Sequence, residues 1–100
     1  MEIKKIASAG TLESSDILIT VEKDNREGIY IHLESPVKKQ FGDQIKKVIK
    51  DTAKFVGVEN AKITAIDKGA LDCVIKARTS AALYRACEST EFKWEKNNGR

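Results

Sequence analysis

Residues Asp16 to Glu22 alternate, with Ile17, Ile19 and Val21 on one face of an extended run. Residues Ile29 to Glu34 alternate again, placing Ile29, Ile31 and Leu33 inward and Tyr30, His32 and Glu34 outward. The polar segment Lys23 to Gly28 joins them, and two alternating runs linked by a short segment ending in glycine predict a β-hairpin. The period then changes. Ser35-Pro36 predicts a helix start, with a serine cap and a proline at the first helical position, where its missing N–H costs nothing. Phe41, Ile45, Val48, Ile49, Thr52, Phe55 and Val56 follow at helical spacing and predict one buried stripe, with Gly57 as the stop.

Beyond Gly57, Asn60 to Ile66 and Leu71 to Arg78 read as two further strands joined at Asp67-Lys68-Gly69. Their inward residues are Ile63 and Ala65, then Leu71, Cys73, Ile75 and Ala77. A second helix is expected after Thr79 or Ser80 as cap, burying Leu83, Ala86 and Cys87. Residues 1–15 lack a period and are rich in small residues, which predicts a mobile lead-in with at most weak pairing at Ile3 to Ile6. The chain turns polar at Ser89, leaving Phe92 and Trp94 as isolated aromatics and residues 90–100 as a loose tail. The expected architecture is α+β: a single domain over 1–100, ordered β-β-α-β-β-α. In it a four-stranded, mainly antiparallel sheet is covered on one face by helices.

One hundred residues, 41% hydrophobic and 33% charged, suit one globular domain with a modest core and no catalytic cleft of its own. No apolar run approaches the roughly 20 residues that span a bilayer, and Met1 to Ile6 lacks the apolar stretch of a signal peptide. Cys73 and Cys87, with no CxxC and a single histidine, predict no metal site and fit a reducing cytoplasm. The net charge of +3 is concentrated. Lys38, Lys39, Lys46, Lys47, Lys50 and Lys54 face only Asp43 and Asp51 within residues 37–54. A solvated helix face is the plain reading of that run; a docking face for an acidic partner or a phosphate group is the other.

His32 sits at an outward strand position without a nucleophile partner, and the phosphate-loop, dinucleotide and zinc-hydrolase signatures are absent from the sequence. Asp67 and Asp72 flank a turn, which explains them better than acid–base chemistry does. No catalytic residues are expected. Nucleic-acid binding is not expected either, because the lysine run lacks interleaved stacking aromatics. What remains is Ser14, one of two adjacent serines ahead of the first strand. A hydroxyl there is reachable by another protein, and Leu12 is expected to anchor its segment to the domain edge.

Gly10-Thr11-Leu12-Glu13-Ser14-Ser15-Asp16, Gln40-Phe41-Gly42-Asp43 and Asp67-Lys68-Gly69-Ala70-Leu71-Asp72-Cys73 together resemble the acyl carrier (gamma) subunits of citrate lyase in order and spacing, to about Cys87. The resemblance implies that Ser14 bears a covalent 2'-(5''-phosphoribosyl)-3'-dephospho-coenzyme A arm whose thiol holds acetyl and citryl thioesters. It implies three partners: the acyl-transferase (alpha) subunit, the citryl lyase (beta) subunit, and the holo-carrier synthase that attaches the arm. It implies a carrier that is not itself an enzyme. Helical acyl carrier proteins differ, placing Asp-Ser-Leu at a helix start. Here the tail Glu91-Phe92-Lys93-Trp94-Glu95 lacks the proline that commonly precedes the family's tryptophan. The alternatives are a carrier of the malonate decarboxylase type, with the same arm, and a non-catalytic protein-interaction domain.

Overall fold

The computed structural model describes residues 1–88. Four strands, β1 (Ala7–Ala9), β2 (Ile17–Glu22), β3 (Ile29–Glu34) and β4 (Ala61–Asp67), and two helices, α1 (Lys38–Val56) and α2 (Asp72–Ala86), follow the order β-β-β-α-β-α. The sheet order is β1-β2-β4-β3, with β1–β2 and β2–β4 antiparallel and β3–β4 parallel. The expected fold class holds: a small α+β domain whose four-stranded, mainly antiparallel sheet carries its helices on one face.

The pleat explains that face. Ile17, Ile19 and Val21 of β2 lie opposite Asp67, Ala65 and Ile63 of β4, and Ile31 and Leu33 of β3 lie opposite Ile63 and Ala65. Ile17, Ile19, Val21, Leu33, Ile63 and Ala65 join Ile45, Ile49, Ala53 and Val56 of α1 and Ile75, Ala82 and Leu83 of α2 in one core, with the half-buried Ile31 packed against it. The opposite sheet face carries Thr20, Thr64 and His32 in one cross-strand row and stays open to solvent.

Four local expectations are corrected. β2 and β3 do not form a hairpin, because β4 lies between them. Alternation identifies the buried face of a strand but not its neighbour, and α1 carries the chain back so that β4 can pair with β3 in parallel. Leu71 to Arg78 is not a strand but the start of α2. Ile75, Thr79, Ala82, Leu83 and Ala86 are buried at helical spacing, whereas Leu71 and Cys73 are exposed. Thr79 and Ser80 are therefore buried inside the helix rather than capping it. The fourth strand is instead β1, within the segment read as a lead-in. Ile3 is buried beside it, and the Lys4 and Lys5 N–H groups donate to the Ala86 carbonyl.

α1 also begins later than its serine and proline indicate. Val37 precedes the helix without a side-chain cap, and Ser35 lies in the turn before it, its hydroxyl accepting from the Val37 N–H at 3.2 Å. The buried stripe is Gly42, Ile45, Ile49, Thr52, Ala53 and Val56. Phe41 and Phe55 lie one position outside it and are 53% and 42% exposed. A single helix laid on a sheet buries one stripe, and the small residues Gly42 and Ala53 allow close approach there. Gly57, with φ 96°, ends α1 in the left-handed region as expected. The tail with Phe92 and Trp94 lies outside the described residues.

Candidate modification site

Gly10 redirects the chain out of β1 at φ 103°. A Cβ there would fall 1.8 Å from the Ile17 carbonyl oxygen, so the position accepts only glycine without a shift of backbone. The chain then runs outward through Leu12 and Glu13 and returns at Asp16, whose N–H donates to the Glu13 carbonyl at 3.2 Å. Ser14 and Ser15 occupy the corner of this turn, both exposed. Ser15 takes φ 65°, a left-handed conformation that costs a residue with a Cβ on the order of 1 kcal/mol.

The turn is anchored behind the serines. The Asp16 carboxylate, in a residue only 9% exposed, accepts from the Arg78 guanidinium twice, at 3.0 and 2.7 Å. It also accepts from the Thr11 hydroxyl at 2.7 Å and from the Ile17 N–H at 2.7 Å. The Arg78 hydrogen bonds, then those from Thr11 and Ile17, hold this carboxyl far below the usual carboxylate range, and Asp16 in turn raises Arg78. Thr11 oxygen additionally accepts from the Glu13 N–H at 3.2 Å. None of these bonds uses the Ser14 hydroxyl. Leu12 is 55% exposed, so the expected apolar anchor is replaced by a polar one.

The Asp67 to Cys73 motif forms the other wall. The Ser15 N–H donates to the Lys68 carbonyl at 2.8 Å, and the Lys68 N–H donates to the Asp16 carbonyl at 2.9 Å. Asp67, 2% exposed, accepts from the Gly69 and Ala70 N–H groups at 3.1 and 2.9 Å and from the Ser35 hydroxyl at 2.8 Å. Asp67 to Asp72 is thus a strand-to-helix turn against which the Ser14 turn rests, not a hairpin. Its buried carboxylate ties the end of β4 to the approach to α1. Gln44 Nε2, directly after the Gln40 to Asp43 motif on α1, donates to the Asp72 carboxylate at 3.0 Å. Sequence reasoning missed Thr11, Asp16, Ser35 and Arg78. The available signal was an acid directly before a strand.

His32 lies on the open sheet face 3.5 Å from the Glu34 carboxylate and lines a recess with Ser35, Asp67 and Lys68. Among the described residues, no group of three or more His, Cys, Asp or Glu side chains could hold a metal ion. No helix there is long and apolar enough to cross a membrane.

A family model described as the malonate decarboxylase delta subunit (MdcD), an acyl carrier family, matches residues 4–86. The citrate lyase acyl carrier protein of Lactobacillus helveticus is 63% identical over 91 residues, covering 91% of this chain and 93% of that protein. Its counterpart from Oenococcus oeni is 60% identical over 96 residues, covering 95% and 98%, and that from Streptococcus mutans 54% over 95 residues, covering 95% and 93%. Among solved structures, a homoserine kinase from Cytophaga hutchinsonii matches with a TM-score of 0.57 at 11% identity, over 89% of this chain. This chain spans only 36% of that kinase, and the likeness concerns the layout of strands and helices alone. With three relatives above half identical over almost their whole length, the chain belongs to the citrate lyase acyl carrier protein family.

Proposed function

We propose that this chain is the acyl carrier subunit of a cytoplasmic citrate lyase complex, and that Ser14 is the residue that carries its phosphoribosyl dephospho-coenzyme A arm through a phosphodiester. The observation that carries the reading is the Ser14 turn itself: an exposed hydroxyl held at a corner by backbone and Asp16 contacts that leave it unused. The residues fit such a group. Glu13, Ser14 and Ser15 are all exposed, so attachment at Ser14 meets no steric wall. Lys68, exposed and bonded through its backbone to the turn, offers positive charge to the phosphates of the arm.

When bound, the arm supplies a thiol that carries the acyl group as a thioester. The protein's own share is positional. Asp16 and Arg78 fix the base of the turn, Lys68 pins its returning strand, and Ser14 projects. Tethering makes delivery to each active site intramolecular, with effective concentrations of roughly millimolar for a short flexible link. The chain performs no bond cleavage of its own on this reading; the acyl-transferase (alpha) and citryl lyase (beta) subunits do so, and a holo-carrier synthase attaches the arm.

A malonate decarboxylase carrier is the second reading, supported by the description of the matching family model. The 54–63% identity to citrate lyase carriers favours the first. Intact-mass and peptide mapping of protein made alongside the complete citrate lyase machinery tests the assignment. The added mass is expected on Ser14, absent in Ser14→Ala and retained in Ser15→Ala. Retention in Ser14→Ala would refute the site. Citrate cleavage by the reconstituted complex, with no malonate decarboxylation by malonate partners, separates the two readings.

A further inference from the structure

β3 is an edge of the sheet, paired among the described residues only with β4. Its sequence, Ile29 to Glu34, contains neither lysine nor proline, the residues by which edge strands commonly repel a further strand. Ile29 and Ile31 are half-buried. Beside them α1 contributes Lys46, Lys47 and Lys50 to a recess floored by these two isoleucines. A second recess shares Ile29 and Lys50 and extends past Gly28 to Lys54. That second recess is also lined by Glu27 and Glu59, which balance Lys50 and Lys54 there, so the positive character belongs to the first, a groove with an apolar floor, an open strand edge and a rim of three lysines. Asp51 on that rim is engaged by Lys47 at 2.6 Å, which leaves Lys46 and Lys50 as the surplus.

We propose that this groove docks an extended acidic segment of a partner protein, which adds as a fifth strand along β3 while its carboxylates meet the α1 lysines. Main-chain pairing supplies a register and the lysine row selects the charge. A second copy of this chain is a poor occupant, because edge-to-edge pairing would bring a second row of the same lysines alongside the first. The identification of the partner as another subunit of the lyase complex rests on the carrier reading; the groove does not. Its position suits that reading. β3 and β4 lie between the docked strand and β2, whose first residue Ile17 follows the Ser14 turn, and Ile29 pairs with Ala61 at the end of β4 remote from Asp67 and Lys68. Docking here holds the subunit while leaving the serine end clear.

The test titrates isotope-labelled protein with a short acetylated peptide of alternating glutamate and valine. A lysine–valine peptide and a thymidine oligonucleotide serve as comparisons. The acidic peptide is expected to shift the amides of Ile29 to Leu33 and slow their exchange. The variant K46E/K50E should bind it about tenfold or more weakly with an unchanged spectrum elsewhere, whereas K38E/K39E, outside the groove, should bind normally. Undisturbed β3 amides at millimolar peptide, equal binding of the lysine peptide, tighter binding of the oligonucleotide, or undiminished affinity of K46E/K50E would each overturn the proposal. In the assembled complex, residues 29–34 should gain exchange protection. Unprotected β3 beside a modified Ser14 would sink the groove alone, and a filled groove beside an unmodified Ser14 would sink the carrier reading alone.

Discussion

Arg78 on α2 closes a two-point ion pair on Asp16, 62 positions earlier in the chain and two residues after Ser14. The guanidinium fork matches the carboxylate geometry, so the pair fixes direction as well as distance. Because the folded state lowers the Asp16 pKa, its contribution is complete above the ordinary carboxylate value of 3.8 and is lost as pH falls toward the depressed folded value. Exchange rates at Ser15 to Ile17, corrected for intrinsic pH dependence, should hold steady from neutrality to about pH 4.5 and rise only in stronger acid. A carboxyl-carbon titration of Asp16 with a midpoint near 4 would contradict the pairing. Arg78→Ala should bring that midpoint back toward 3.8.

The core should divide cleanly from the helix flanks. Ile49 and Ile63 are fully buried, and Ile45 nearly so. Truncating any one to alanine should cost about 2–5 kcal/mol in urea unfolding. Phe41→Ala should cost less than about 1 kcal/mol, since half of that side chain already faces solvent. A loss at Phe41 matching that at Ile45 would restore the stripe that the apolar spacing predicts.

That stripe shows what could be read from the sequence and what could not. Alternation located β2, β3 and β4 and their inward residues, because half-buried strands have a period of two whatever their neighbours. It could not reveal that β4 separates β2 from β3, which depends on the path of α1. Leu71, Cys73, Ile75 and Ala77 satisfy a period of two by chance, while Ile75, Thr79 and Leu83 satisfy that of a helix. A window extended through Ala86 would have favoured the helix. Phe41 misled because a large apolar residue weighs more in the pattern than Gly42, which takes the buried position. Ser14 stood out through the motif around it. Its support by Arg78 is a long-range contact that no local spacing encodes.

Two glycines with similar φ should respond differently to alanine. Gly10 (φ 103°) has the Ile17 carbonyl oxygen 1.8 Å from an added Cβ, so Gly10→Ala combines left-handed strain with a collision against strand backbone. Gly69 (φ 94°) has nothing within 4 Å of one, so Gly69→Ala meets only the strain, roughly 1 kcal/mol. Chemical unfolding should rank Gly10→Ala as clearly the more damaging. Equal losses would mean that the loop after β1 relaxes without resistance.

Asp67 is the joint between the strand end, the approach to α1 and the turn under Ser14. Asp67→Ala removes the acceptor for the Ser35 hydroxyl and for the Gly69 and Ala70 N–H groups together. The expected cost is about 1–3 kcal/mol, with amide shifts spreading through Lys68 to Ser15 and Asp16 because their backbones are bonded. Ser35→Ala should cost less, since the two turn N–H groups keep their acceptor. If Asp67→Ala leaves the Ser15 and Asp16 amides unmoved, the Asp67 to Cys73 motif does not support the serine turn.

The serine corner itself should be the least protected part of its loop. The Glu13 and Ser15 N–H groups and the Asp16 and Ile17 N–H groups all find acceptors, but the Leu12 side chain lies outside and the Ser14 hydroxyl enters none of these bonds. Leu12→Ser should therefore leave the unfolding midpoint nearly unchanged, since little apolar area moves into water. Backbone exchange in the unmodified protein should be fast at Leu12 and Ser14, intermediate at Ser15, and slow at Ile17 and Ile19, which belong to the central sheet. A corner of this kind lets an enzyme reach the hydroxyl while the attached group keeps a fixed origin at the sheet end. Protection at Ser14 equal to that at Ile19 would mean a rigid corner, and presentation of the hydroxyl would then require local opening of the Asp16–Arg78 pair. In that case Arg78→Ala should speed attachment; with the open corner described here it should slow it, by letting the turn wander from the geometry the attaching enzyme meets.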